Sequence, residues 1–283
     1  MIQADATSPH AQPDAQSQDQ SGDERVAPSK GLLGRAREAL SRAGEVVAGS
    51  MLPPLCLACQ VRIDAHDSLC PACWHNVTFI RPPLCDRLGI PLPYDIGTTM
   101  ISAAAEANPP DYDRARAVAA FTGPVRDLIH TFKFRDTQHA RRLFGRWMCE
   151  AGGDLLKSAD LIVPVPLARS RLFFRRFNQA QILAAELSRH SGKPTNPFAL
   201  ARIKATPQQT RLTRAERRRN VAGAFSVPLQ GLSTIAGKNV LLIDDVITTG
   251  ATASSAARTL KKAGANRVDV LVLALVVDTL SQS

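Results

Sequence analysis

The sequence predicts an α/β fold, a mainly parallel sheet covered by helices on both faces, with a small cysteine-held module on its N-terminal side. Two patterns carry that expectation. After Tyr112, apolar runs of strand length alternate with stretches whose apolar residues recur at helical spacing, whereas the preceding region holds two C-x-x-C pairs and no sustained periodicity. A third pattern says where a ligand would sit. Val240-Leu241-Leu242-Ile243 is followed by Asp244-Asp245, then Val246-Ile247, then Thr248-Thr249-Gly250-Ala251-Thr252 at the start of a helical segment.

Taken in order, residues 1–30 are rich in Gln, Asp, Ser, Ala and Pro and hold too little apolar surface to offset the entropy of ordering, so they read as a disordered tail. Within 31–52, Leu33, Ala36, Leu40, Ala43 and Val47 recur at spacings of three and four between Arg35, Arg37, Glu38, Arg42 and Glu45. That is a short amphipathic helix, suited to the protein's own body, a membrane surface or a partner. Residues 53–110 form the cysteine module and residues 111–283 the α/β domain. In that domain strands are expected over Ala115–Phe121, Leu161–Val165, Val240–Ile243 and Val268–Val277. Helices are expected over Val125–Phe134, Gln138–Ala151, Asn178–His190 and Thr252–Ala263, the last ending at Gly264. No internal repeat of fixed period is visible.

The chain's charge is unevenly placed. Its net value is +10, but Leu161 to Asn239 alone holds fourteen Lys or Arg against Glu186 and Glu216, a balance of +12. Such a field favours an anionic partner, whether a pyrophosphate-bearing small molecule or a nucleic-acid backbone, and charge does not separate the two. No window of about 18 uncharged apolar residues occurs, so no transmembrane segment is expected. The chain opens with Asp5, Asp14 and Asp19 rather than basic residues before an apolar run, which points to the cytoplasm. Six cysteines in that reducing setting argue for metal or free thiols over disulfides.

Each part of the third pattern has a physical task. A buried strand ends at the carboxyl edge of the sheet, where open α/β folds hold ligands. The small residues Thr248, Thr249, Gly250, Ala251 and Thr252 can surround a phosphate with backbone N–H groups, hydroxyls and the start of a helix dipole, Gly250 letting the chain turn without a Cβ clash. Asp244 and Asp245 come just before, within reach of a sugar whose 5′-phosphate lies in that loop. Two carboxylates there can accept hydroxyl hydrogen bonds and favour a cationic, oxocarbenium-like transition state. Walker, dinucleotide and HExxH motifs are absent. Val240 to Thr252 resembles the phosphoribosyl pyrophosphate loop of type I phosphoribosyltransferases along its full length.

Further segments resemble the ComF family, a competence-associated branch of that fold. These are Val163-Pro164-Val165-Pro166-Leu167 with Arg169, Arg171, Arg175-Arg176-Phe177-Asn178-Gln179, then Arg202 to Thr210 and Leu212 to Phe225. The resemblance implies a pyrophosphate loop after Val163, and the residues agree, because Pro164 and Pro166 stiffen a turn while Arg169 and Arg175 offer forked donors to phosphate oxygens. Arg176 stands where the family usually has Gly, a departure that removes a close backbone approach or adds a charge. The long polar stretch Lys204 to Arg219 resembles a mobile hood, with Lys204 and Arg217 as its candidate phosphate contacts.

Cys56-Leu57-Ala58-Cys59 and Cys70-Pro71-Ala72-Cys73 supply four thiolates at a spacing that suits one tetrahedral zinc ion. With all four donors sulfur, no coordination position stays open, so the metal should be structural; His66 and His75 are surplus. ComF proteins often resemble a double zinc ribbon here. In this chain Cys85 stands alone, Leu88 holds its partner's position, and Cys149 lies in an expected helix as a small core residue, so one zinc and an eroded second ribbon are expected.

Three functions are compatible with this reading. The first is a phosphoribosyltransferase that displaces pyrophosphate at the anomeric carbon with Mg²⁺, with Asp244 and Asp245 at the ribose and Arg169 or Arg175 at the leaving group. The second is a non-catalytic single-stranded DNA-binding factor for DNA uptake, using the basic cleft, the zinc ribbon and Arg171-Leu172-Phe173-Phe174-Arg175-Arg176-Phe177. The third is a phosphoribosyl sensor without turnover.

Overall fold

The computed structural model describes residues 53–95, 97–134, 139–168, 177–204 and 221–277. The expected tail and amphipathic helix, together with Arg169, Arg171, Arg175, Arg176 and the 205–220 part of the hood with Arg217, lie outside the described residues. Two short helices punctuate the cysteine module, α1 (Pro71–His75) and α2 (Ala103–Ala107). The α/β body follows as β1 (Ala115–Ala120), α3 (Gly123–Phe134), α4 (His139–Ala151), α5 (Gly153–Ser158), β2 (Leu161–Pro164) and α6 (Gln179–Ser191). It continues with β3 (Ala201–Arg202), β4 (Phe225–Ser226), α7 (Leu229–Ile235), β5 (Asn239–Ile247), α8 (Ala251–Lys262) and β6 (Arg267–Leu275).

Four strands form a parallel sheet in the order β1-β6-β5-β2, and β3 and β4 form a separate antiparallel pair. Successive side chains of a strand point to opposite faces, and β5 shows why both faces must be covered. Val240 and Leu242 join an apolar cluster with Ala253, Ala256 and Leu260 of α8. Leu241 and Ile243 join another with Ile129 and Phe132 of α3, Phe144 and Met148 of α4, and Leu183 and Leu187 of α6. A strand buried on both sides reads as an unbroken apolar run, which is how Val240 to Ile243 reads. The strands and helices expected in the α/β domain all appear, with shifted ends. The largest shift is in β5, which runs on through Asp244 and Asp245 to Ile247, because it pairs with β6 along that whole length.

The cysteine module packs on the body rather than beside it. Ile80 N–H donates to Val118 O at 2.9 Å and Ala115 N–H to Asp86 O at 3.2 Å, so the module completes the outer edge of β1. Arg116 ties the same edge with donors to Asp86 Oδ1 at 2.5 Å and Asp154 Oδ2 at 2.9 Å. Trp74, Phe79 and Trp147 meet edge to face or tilted, with centroids 5.0–5.8 Å apart, and bind the first half of the module to α4.

Candidate functional site

The carboxyl edge of the sheet brings β5 and β2 side by side, since Pro164 pairs with Ile243 and Val165 N–H donates to Ile243 O at 2.9 Å. The segment leaving β2 therefore starts beside Asp244. Asn178, which caps α6, pins that segment's far end by donating Nδ2 to Val165 O at 3.0 Å. Past β5 the chain bends through Thr248, Thr249 and Gly250 and enters α8. Gly250 is in the left-handed region at φ 74°, and a Cβ there would stand 3.2 Å from the Tyr112 hydroxyl, so both the turn and the close approach call for glycine.

The turn presents hydrogen-bond donors that nothing in it uses up. Gly250 is the N-cap of α8 and offers no side-chain acceptor to the helix's first N–H groups, which have no partners within a helix. The Thr249 hydroxyl is buried and has no hydrogen-bond partner among the described residues. Such a group costs free energy unless something fills the turn and bonds to it. The helix itself is held by Asp111, whose carboxylate accepts from Ser254 Oγ at 2.7 Å and from Arg258 Nε and Nη2 at 3.0 and 2.7 Å. Burial alone would raise the Asp111 carboxyl, but the bonds from Arg258 and Ser254 outweigh it and hold it below the ordinary range.

Asp244 and Asp245 are at the site's floor and differ in their partners. Lys133, on α3, places Nζ 2.7 Å from Asp245 Oδ2, and both side chains are largely buried. Asp244 accepts from the backbone N–H of Asp245 at 2.9 Å. Burial and the neighbouring Asp245 charge push its carboxyl up to about 7, against the pull of that backbone bond, Lys133 and Arg202. Burial and a like charge thus leave Asp244 an acid that titrates near neutrality.

Of the expected site residues, Asp244, Asp245, Thr248, Thr249, Gly250, Ala251 and Thr252 gather here. Lys204 Nζ donates instead to Ala222 O at 3.2 Å. Lys133, Arg202 and Tyr112 are additions that sequence reading missed. A cavity of about 730 Å³ lies elsewhere, lined among others by Trp74, Phe79, Asp86, Arg116, Trp147 and Asp154, and none of its walls belongs to the turn.

The four cysteines of the two C-x-x-C pairs bring their sulfurs within 4.8 Å of one another. Cys59 Sγ and Cys70 Sγ are 3.6 Å apart, close to the edge of about 3.8 Å of a tetrahedron with zinc–sulfur bonds of about 2.3 Å. Burial pushes the Cys56 thiol up, but backbone N–H donors, led by Cys59 and Cys70, bring it down to about 6, whereas burial and its sulfur neighbours push Cys73 up. Four sulfurs so placed need a cation among them to be thiolates together, and the all-sulfur donor set fits structural zinc.

Two family models match the chain, a double zinc ribbon domain over residues 47–105 and a phosphoribosyl transferase domain over residues 178–281. The DNA utilization protein YhgH of Salmonella typhimurium is 30% identical over 230 residues, covering 78% of this chain and 97% of its own. Competence protein F of Haemophilus influenzae is 30% identical over 225 residues, covering 77% and 96%. Competence protein ComFC of Bacillus subtilis is 30% identical over 150 residues, covering 53% and 58%. The type I phosphoribosyltransferase-like sheet and the zinc-ribbon module expected from the sequence are both present. Among the described residues no helix is long and apolar enough to cross a membrane.

Proposed function

The chain belongs to the ComF family, with YhgH and competence protein F, and from that premise we propose that the turn after β5 binds phosphoribosyl pyrophosphate. The observation that carries this is the uncapped α8 start with the buried, unpartnered Thr249 hydroxyl directly after two floor carboxylates. The 5′-phosphate occupies the turn of Thr248 to Thr252, taking N–H and hydroxyl donors. Asp244 and Asp245 accept from the ribose hydroxyls, and their charge stabilises positive character that develops on the sugar.

Reaction at this site breaks the bond from the anomeric carbon to pyrophosphate, which leaves with the electron pair, and forms a bond from an acceptor nucleophile to that carbon. Magnesium, when bound with the substrate, supplies charge neutralisation to the pyrophosphate oxygens. On this reading Arg169 and Arg175, from the sequence after β2, would meet the leaving group, and Lys204 and Arg217 would be further phosphate contacts. Lys133 holds the Asp245 carboxylate in place through its ion pair before the ligand arrives. A cytoplasmic setting, where thiolates stay reduced, accords with both sites. Calorimetry of the full chain with phosphoribosyl pyrophosphate and Mg²⁺ tests the reading: Asp244→Ala/Asp245→Ala should weaken binding at least a hundredfold, and unchanged affinity would falsify it.

A second reading rests on the ribbon and on the relatives' printed names, which concern DNA utilization and competence. Trp74 is 44% exposed on α1, and the Arg81 guanidinium lies 5.8 Å from the Phe79 ring centroid nearby. Rings and cations arranged in this way track single-stranded DNA by stacking and charge. Oligonucleotide binding that weakens steeply as salt rises and is reduced by Trp74→Ala is the expected result; binding indifferent to both excludes this surface.

A further inference from the structure

The two halves of the cysteine module are the same structure built twice. In the first half, Leu55 bridges Arg62, Cys56 N–H donates to Val61 O at 2.8 Å, Gln60 N–H to Cys56 O at 2.9 Å and Leu57 N–H to Ser68 O at 3.1 Å. In the second, Leu84 bridges Pro91, Cys85 N–H donates to Ile90 O at 2.8 Å, Gly89 N–H to Cys85 O at 2.8 Å and Asp86 N–H to Met100 O at 2.9 Å. Gln60 and Gly89 occupy the same left-handed position, at φ 62° and 69°. The second pair of donors repeats as well. Cys70 N–H reaches Cys56 Sγ at 3.2 Å and Ser102 N–H reaches Cys85 Sγ at 3.2 Å. Cys70 caps α1 through its sulfur, which accepts from Cys73 N–H, and Ser102 caps α2 through its hydroxyl, which accepts from Ala105 N–H.

This register aligns Cys56, Cys59, Cys70 and Cys73 with Cys85, Leu88, Ser102 and Ala105. One thiol, one hydroxyl and two hydrocarbon side chains cannot make a tetrahedral zinc site. What fills its place is apolar: Cys85 and Ala105 are fully buried, Leu88 is 4% exposed, and all three belong to the core cluster that continues into Tyr112, Ala115 and Ala117. We propose that residues 84–107 are a metal-free copy of the zinc-bearing half, so that the chain holds a single zinc although the matching family description is a double zinc ribbon.

The physical trade is direct. The first half has Cys59 exposed and Cys73 half-buried, with little apolar mass of its own, so a metal must close it. The second half lies over β1 and closes on the protein's core, which makes a metal unnecessary. The backbone cradle for thiolates survives, with its N–H donor already aimed at Cys85 Sγ.

Zinc content of the chelator-washed full chain, read by elemental analysis, should be one equivalent, and cobalt substitution should show one tetrathiolate spectrum. Cys85→Ala should leave both unchanged, while Leu88→Cys/Ser102→Cys/Ala105→Cys should raise metal content from one to two. Two equivalents in the unmodified chain, or loss of metal on Cys85→Ala, overturns the proposal even if the triple variant does not fold. A folded triple variant that still holds one equivalent overturns the structural equivalence.

Discussion

The four-cysteine cluster and the turn after β5 are both announced by spacing in the sequence, yet they are built in opposite ways. The cluster draws four side chains from Cys56 to Cys73 and satisfies them with one another. The turn draws its donors from one local bend, but its charge balance comes from far away in the chain, from Lys133 of α3 and Arg202 of β3, and its close wall at Gly250 from Tyr112 at the entry to β1. A closed site needs only local sequence plus an ion, whereas an open site that must receive and release a ligand depends on the folded body to tune it. Zinc removal and charge changes should therefore damage the molecule in different places.

The largest expected effect comes from breaking the closed site. Structural zinc in small modules contributes on the order of 10 kcal/mol or more to folding, so Cys59→Ser should abolish hydrogen-exchange protection at Cys56, Gln60 and Cys70, whose amides are the donors there. Amides of β5, from Val240 to Ile243, should keep theirs, because that strand is held by β2 and β6. Equal loss in both regions would mean that the ribbon is part of the body's cooperative unit and that the contrast is false.

What was legible follows the same division. The four zinc ligands and the Val240 to Thr252 turn were readable because each is a short contiguous pattern with one chemical meaning. Asp244 and Asp245 were expected ahead of a loop and were found inside β5, since strand pairing with β6 extends past the apolar run that marks the buried part. Lys133 looked like any cation on an amphipathic helix; only the fold sets its amine against a carboxylate more than a hundred residues away. An eroded second ribbon was expected from Cys85 and Leu88, but its register was not visible as a repeat, because Ser102 and Ala105 carry no thiol and unequal spacing erased the period. Backbone hydrogen bonds kept the register. Short elements such as α5 and α7 were missed because one or two turns carry too little periodicity to stand out.

Lys133 tests the open site's dependence on distant residues. Lys133→Met keeps the length of the apolar stem but removes the ammonium, leaving two adjacent carboxylates without their contact cation. Affinity for phosphoribosyl pyrophosphate should fall about tenfold, equivalent to about 1.4 kcal/mol, while the zinc content stays at its original value. An affinity within twofold of the unmodified chain would show that Lys133 is a structural ion pair only and that the turn's chemistry is as local as the cluster's.

The smallest and most diagnostic effect is the pH dependence of Asp244. Its carboxyl is raised from 3.8 to about 7, chiefly by burial and then by Asp245. The folded state therefore holds a proton that the unfolded chain has released, and stability in the absence of ligand falls as pH rises from about 4 to about 7. Asp244→Asn removes the ionisable group, so its melting temperature should match the unmodified chain near pH 4 and exceed it by about 2–4 °C at pH 8, the size of shift that about 1 kcal/mol makes in a domain of this length. The same variant should bind phosphoribosyl pyrophosphate more weakly at pH 8, because an amide accepts ribose hydroxyls without the negative charge. A gain in stability with a loss of binding would identify the raised carboxyl as strain kept for a ligand; a melting curve with the same pH profile in both proteins would assign the titration to another group.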